Sequence, residues 1–227
     1  MSNPPGVLRS QFIKLPYPSH KFTGQTIIVT GSNVGMGLEA ARHFARLDAA
    51  KVVLAVRTRS KGEAAKASIE ASTKRRKVVE VWELDLASYA SVKAFAAKAQ
   101  RLERLDVVIG NAGMFTWTWE LVEGDEKTVT VNVVSTFLLS LLLLPKLRET
   151  AVKTKKASVL SLTGSFTHFM TTFPERDNAN IFEELARKDV ARMDDRYVYF
   201  LEAQDAAWLI GVDIRSRKSS SCSVFAS

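Results

Sequence analysis

The chain has 227 residues, 46% hydrophobic and 25% charged, enough apolar material for one sizeable core or two small ones. That balance excludes a disordered chain, and only 11 glycines exclude a collagen-like one. The net charge of +8 leaves nucleic acid, a membrane surface or an anionic small molecule open as partners.

One cysteine, Cys222, cannot build an internal disulfide framework, so a reducing, cytoplasmic location is expected. His20, His43 and His168 lie far apart with no ligand spacing, so no metal site is expected. The basic cluster Lys74-Arg75-Arg76-Lys77 has no interleaved aromatic residues and reads as a solvated connection, which leaves nucleic acid without a motif. Residues Met1 to Tyr17 lack an apolar h-region and do not read as a signal peptide.

Short β-branched runs alternate with helical periods, the pattern of βαβ units and a parallel sheet. Thr26 to Thr30 reads as the first strand, and Leu38 to Leu47 as an amphipathic helix. Lys51 to Val56 is a second strand, Lys61 to Ser72 a second helix, Val78 to Leu84 a third strand and Ser88 to Arg101 a third helix. Asp106 to Ile109 is a fourth strand, followed by a long helix between Asp125 and Glu149 and a fifth strand from Ser158 to Leu162. The uncharged stretch Val129 to Leu144 is too short to span a bilayer and reads as a buried helix. Phe166 to Asn180 is a mixed loop, Ile181 to Val190 and Asp195 to Leu209 can be helical, and the chain from Ser216 is Ser-rich and basic. The expected fold is α/β, a doubly wound parallel sheet of Rossmann type in a single domain with an incomplete C-terminal end. Its bounds are an N-terminal extension over 1–20, a dinucleotide-binding domain over 21–200 and a divergent tail over 201–227.

Thr30-Gly31-Ser32-Asn33-Val34-Gly35-Met36-Gly37 stands between the first strand and the first helix. Glycines there let the backbone turn tightly and approach a pyrophosphate, while the helix N-terminus directs N–H groups at it. The position at the head of a βαβ series makes dinucleotide binding the expectation. The second strand ends in Val56-Arg57-Thr58-Arg59 with no acid to bond ribose hydroxyls, which favours NADP(H) over NAD(H). Asp85, followed by Leu86, stands where a carboxylate can accept from an adenine amino group. The other reading makes Asp85 a helix N-terminal acid, for which Ser88 is the better cap.

These motifs resemble the short-chain dehydrogenase/reductase family. The family's Thr-Gly-x-x-x-Gly-x-Gly is similar to Thr30 to Gly37, its Asp after the third strand to Asp85, its Asn-Ala-Gly to Asn111-Ala112-Gly113, and its helix asparagine to Asn132. The resemblance runs from about Lys21 to Tyr197, and FPER (173–176), NIF (180–182) and Asp195-Arg196-Tyr197 look most like fungal members associated with secondary metabolism. It implies an NADP(H)-dependent interconversion of a carbonyl and an alcohol on a small organic substrate, with a homo-oligomer open and no membrane partner. In the family, a serine polarises the carbonyl, a tyrosine exchanges the proton, an asparagine holds a relay water, and a lysine lowers the tyrosine pKa. Ser165, Tyr197 and Asn132 match the first three.

The lysine does not match. Four residues after Tyr197 stands Leu201, and moving the tyrosine to Tyr199 brings Ala203 to that place. A tyrosine with no cation beside it keeps a pKa of about 10 and is a poor acid–base group at neutral pH. The residues after Tyr197 match nothing in the family's remaining strands and read as foreign sequence of the kind a frameshift or retained intron produces. The alternative is therefore a catalytically inactive cofactor-binding protein or a non-functional product. Without the later strands, the fifth strand is expected to be an open sheet edge.

Overall fold

The structure is a computed structural model and describes residues 16–164, 174–189, 191 and 193. Among these residues, five parallel strands form one sheet in the order β3-β2-β1-β4-β7. They are β1 (Thr26–Thr30), β2 (Lys51–Val56), β3 (Val79–Glu83), β4 (Val107–Gly110) and β7 (Val159–Leu162). Four helices flank them: α1 (Gly35–Arg46), α2 (Arg59–Thr73), α3 (Tyr89–Gln100) and the 28-residue α4 (Lys127–Thr154). A two-stranded hairpin, β5 (Leu121–Val122) and β6 (Asp125–Glu126), precedes α4, and a short α5 (Ile181–Leu185) follows the sheet.

The strands are apolar on both faces because helices cover both, as a parallel sheet requires. Successive residues alternate between two cores. Ile28, Val53, Ala55 and Val108 face α3 and α4, where they meet Phe95, Ala99, Leu139, Leu143 and Leu147. Ile27, Val29, Val52, Leu54 and Val56 face α1 and α2, where they meet Ala41, Ala45, Ala65 and Ile69. The chain winds outward from β1 through β2 to β3 and then crosses back to β4. The strand order therefore reverses between β1 and β4, and a crevice opens there at the C-terminal edge.

α4 is long and apolar enough to cross a membrane by length and composition, beyond what the uncharged stretch alone suggested. In this fold it is a core helix, with Leu139, Leu143 and Leu147 buried against the sheet and α3. Leu138 and Leu142 are half-buried and Leu141 is 63% exposed, so the leucine run divides between core and surface by helical period. Pro145 interrupts the backbone ladder, and Gln100 from α3 donates to the Leu142 carbonyl at 2.7 Å. Glu126, fully buried, caps the start of α4 by accepting from the N–H groups of Thr128 and Val129 and from the Thr128 hydroxyl.

The basic cluster is more than a solvated connection. Arg75 donates to the carbonyls of Ala45 (2.8 Å) and Ala49 (2.9 Å) and pairs with Asp48, so it caps the C-terminus of α1 and fastens it to the turn before β3. A guanidinium has enough donors for several carbonyls at once, which composition alone does not reveal. Arg42 fastens α1 to α2 in the same way, through the carbonyl of Ser68 and the hydroxyls of Ser68 and Ser72.

β7 is the last strand of the sheet among the described residues, with Val159 and Ser161 exposed and Leu160 and Leu162 half-buried. Whether that edge stays open depends on residues after Tyr197, which lie outside the described residues. The expected helix over 195–209 and the tail from Ser216 lie outside the described residues.

Candidate functional site

The crevice between β1 and β4 is built by two turns that hold each other. At the end of β1 the Thr30 hydroxyl accepts from the backbone N–H of Asn111 (3.0 Å) and of Ala112 (2.9 Å) and donates to the Ile109 carbonyl (3.4 Å). In return, the Asn111 side-chain amide donates to the carbonyls of Thr30 (3.0 Å) and Gly31 (3.4 Å). The glycine turn and the Asn111-Ala112-Gly113 turn are thus one unit at the sheet's C-terminal edge.

Each glycine of the first turn has its own reason. Gly31 has φ +64°, and a Cβ there would stand 2.9 Å from the Ala112 Cα. Gly37 has ordinary helical φ, but a Cβ would meet the Asn111 amide nitrogen at 2.5 Å and the Gly31 carbonyl at 2.7 Å. Gly35 is the opposite case: φ is +61° and nothing lies within 4 Å of where its Cβ would be. Two glycines are required by the protein's own atoms, and the third faces open space.

α1 begins at that open space without a cap. Its N-cap is Val34, which has no side-chain acceptor, and there is no acidic residue in the first turn. The Ser32 hydroxyl points inward to the Val29 carbonyl at 2.8 Å and is fully buried. Val34 and Met36 are exposed on either side of Gly35, and Asn33 is half-buried. Unpaired N–H groups and the positive end of the helix dipole therefore face solvent, the arrangement that receives a phosphate anion.

The strand register extends the edge away from α1. Gly31 N–H donates to the Ala55 carbonyl at 2.9 Å, so Arg57, two residues on, lies beside the glycine turn. Arg57 is exposed, and none of its charge is taken up by an ion pair or hydrogen bond among the described residues. Arg59, which the sequence offered as its companion, pairs instead with Glu63 at 3.7 Å on the first turns of α2. Leu84 N–H donates to the Val56 carbonyl at 3.0 Å, which brings Asp85 next along the row. One Asp85 oxygen accepts from Ala87 N–H (2.9 Å), and its backbone N–H donates to the Ser91 hydroxyl (3.0 Å). Ser88 caps α3 by accepting from Ser91 N–H, as expected, and Leu86 is buried beneath the turn.

Asn132 approaches from the other side, within a π-helical stretch of α4 (Thr130–Ser135). Its side-chain carbonyl accepts from Met114 N–H and its amide donates to the Met114 carbonyl, both at 2.8 Å. A clasp on both backbone groups of one residue fixes the loop that leaves Asn111-Ala112-Gly113. The structure thus brings together Thr30 to Gly37, Arg57, Asp85, Leu86, Asn111 to Gly113 and Asn132. Ser165 and Tyr197 lie outside the described residues.

Sequence reasoning missed the hairpin that supports this edge. Glu123, at its tip, accepts from Tyr89 N–H at 2.8 Å and so adds a second cap to α3. The Tyr89 phenol is pushed up from its ordinary pKa by burial, and by Asp125 and Glu123 beside it. Glu123-Gly124 as a turn pair after Leu121-Val122 was the available signal, weak because each strand has only two residues and the second is acidic.

A short chain dehydrogenase family model matches residues 25–171, which include every described residue of the site. The chain is 53% identical over 193 residues to the short chain dehydrogenase atnD of Emericella nidulans, covering 83% of this chain and 60% of that protein. It is 49% identical over 174 residues to the short chain dehydrogenase/reductase dmxR8 of Cryptosporiopsis sp., covering 75% of this chain and 54% of that protein. The chain therefore spans a little over half the length of these relatives. A protein of Escherichia coli CFT073 named as a short chain dehydrogenase and solved with NADPH superposes with a TM-score of 0.61 at 26% identity, over 85% of this chain and 72% of that one. With the glycine cradle, the Asn111 turn and the sheet order in agreement, the chain belongs to the short chain dehydrogenase family.

Proposed function

We propose that the chain binds NADP(H) across the β1–β4 crevice and serves the interconversion of a carbonyl and an alcohol on a small organic substrate, in fungal secondary metabolism. The observation that carries this reading is the uncapped N-terminus of α1 behind Gly35, where a side chain would have open space and a phosphate has room. The residues fit the group. The backbone of Gly31 to Gly37 would hold the pyrophosphate, Arg57 a 2′-phosphate, and Asp85 and Leu86 the adenine end. When bound, the nicotinamide supplies hydride-transfer chemistry.

This chain's own residues position the rest. Thr30 and Asn111 keep the two turns in register, and Asn132 holds the loop at Met114. Ser165 would polarise a substrate carbonyl and Tyr197 would give or take the proton at its oxygen.

Leu201 favours a second reading. Four residues after Tyr197 the family's lysine is replaced by an apolar side chain, so the sequence offers no cation at the position that would make the phenol a neutral-pH acid. The protein would then bind the cofactor without turning it over. Following NADPH oxidation by the full chain across a panel of aromatic and aliphatic carbonyls separates the two. Turnover above a Tyr197→Phe control supports the oxidoreductase, and saturable binding with no turnover above that control supports the inactive binder.

A further inference from the structure

β5 and β6 are joined by a two-residue turn, Glu123-Gly124, and both residues lie in the left-handed region, at φ +56° and +96°. A turn of that hand favours Asn or Asp before Gly. Glutamate carries the steric cost of the conformation, because its Cβ crowds the following carbonyl. Its longer side chain reaches out of the hairpin instead. The Glu123 carboxylate accepts from the backbone N–H of Tyr89 at the start of α3, 2.8 Å away. A strained residue persists only where the surrounding structure holds it, and here the contact that holds it belongs to another element.

Strands of two residues do not stand alone, so the hairpin depends on its bonds to neighbours. It is bonded to the first turns of both α3 and α4. On the α4 side the Val122 carbonyl accepts from the Thr130 hydroxyl at 2.8 Å. Just before the hairpin, the Glu120 carbonyl accepts from Lys127 N–H at 2.9 Å and its carboxylate from the Lys127 ammonium at 2.7 Å. Two residues beyond Thr130, Asn132 holds both backbone groups of Met114. On the α3 side, Ser88 precedes Tyr89 and accepts from Ser91 N–H, and the Ser91 hydroxyl accepts from Asp85 N–H at 3.0 Å. A continuous series of short bonds therefore runs from the Asp85 turn, through Glu123 and the hairpin, to the Met114 loop.

We propose that Glu123 is a positioning residue that makes the Asp85 turn and the Met114 loop order together. Releasing it from Tyr89 lets the hairpin part from α3, and both ends of the series loosen. A ligand that orders the Asp85 turn then orders the Met114 loop at a distance, and ordering the loop tightens the turn by the same factor. The proposal rests on the cofactor reading only for the identity of that ligand, because the bonds exist without it.

The test measures amide hydrogen exchange over residues 84–91 and 112–126 of the full chain, with and without adenosine 2′,5′-bisphosphate, which lacks the nicotinamide half of the cofactor. In the wild type the nucleotide is expected to slow exchange of the Met114 N–H at least about fivefold. Glu123→Asn suits the turn but is one methylene shorter than the bond to Tyr89 needs. It should abolish that slowing and weaken NADPH binding at least about fivefold, with the urea midpoint near wild type. Glu123→Gln keeps the reach and an acceptor oxygen, and should restore most of both. In the free protein, Glu123→Asn should speed exchange at Asp85 and Met114 alike.

Slowing at Met114 that persists in Glu123→Asn overturns the proposal, as does a free variant whose exchange quickens in the hairpin alone. So does an affinity loss that Glu123→Gln fails to restore. A wild type that binds neither nucleotide defeats the cofactor reading instead, and exchange in the free protein still decides the role of Glu123.

Discussion

The Thr30 hydroxyl accepts hydrogen bonds from two consecutive backbone N–H groups, those of Asn111 and Ala112, across the reversal point of the sheet. That single oxygen links the turn read as a phosphate cradle to the Asn111-Ala112-Gly113 turn that follows β4.

Thr30→Val removes the acceptor and keeps the shape, leaving two partly buried donors unpaired. At about 1–3 kcal/mol for each unsatisfied group, the variant should lose about 2–6 kcal/mol of unfolding free energy in urea. Thr30→Ser, which keeps the oxygen, should lose much less. A larger loss in Thr30→Ser than in Thr30→Val would show that the methyl group, not the hydroxyl, matters.

Gly37→Ala and Gly35→Ala separate two uses of glycine. The first places a Cβ 2.5 Å from the Asn111 amide, so overpacking should cost about 1–3 kcal/mol and NADPH affinity should also fall. The second meets no atom within 4 Å, so stability should fall only by backbone strain, about 1–2 kcal/mol, while NADPH affinity falls as far. Calorimetric titration with NADPH and urea melts of both variants provide the comparison.

Glu80 offers a pH test away from the site. Burial alone would raise its carboxyl pKa. Hydrogen bonds from Lys51 and Trp82 outweigh that, aided by the charges of Lys51 and Lys98, and hold it below the usual value. A carboxyl lowered on folding stabilises the fold above its unfolded pKa, and the contribution is lost as the pH falls through the folded pKa. The side chain is 41% exposed, so solvent screens the pair and Glu80→Gln should cost less than about 1 kcal/mol at pH 7. The gap to wild type in thermal melts should close as the solution is acidified below the carboxylate range. A gap that persists there would assign the effect to packing.

The outer side of β7 makes a prediction about association. Val159 is 47% exposed on a strand with no further partner among the described residues. Val159→Lys places a charge on that edge and should reduce concentration-dependent association in light scattering, with stability within about 0.5 kcal/mol of wild type. Unchanged association would mean that other parts of the chain cover the strand.

Much of this architecture was legible in the residues. β1 and β2 match the expected bounds residue for residue, because short runs rich in β-branched and apolar residues between turn residues leave little alternative. α1 begins three residues before the expected Leu38, since Gly35 and Gly37 read as turn and a tertiary contact admits them into the helix. The spacing of Thr30, Asn111 and Asn132 was visible, but not that Thr30 and Asn132 use their side chains to hold backbone. Such bonds join residues 18 to 82 positions apart and leave no periodic signal. Arg75 was hidden for a related reason, since a capping arginine looks like any other surface cation until the carbonyls it reaches are known.

Calorimetric titration of the full chain with NADPH and with NADH, for wild type and Arg57→Ala, bears most directly on the cofactor reading. The account predicts saturable one-to-one binding of NADPH, at least about tenfold (about 1.4 kcal/mol) tighter than NADH, with the preference removed by Arg57→Ala. No saturable binding, or equal affinity for the two dinucleotides in wild type, would contradict it.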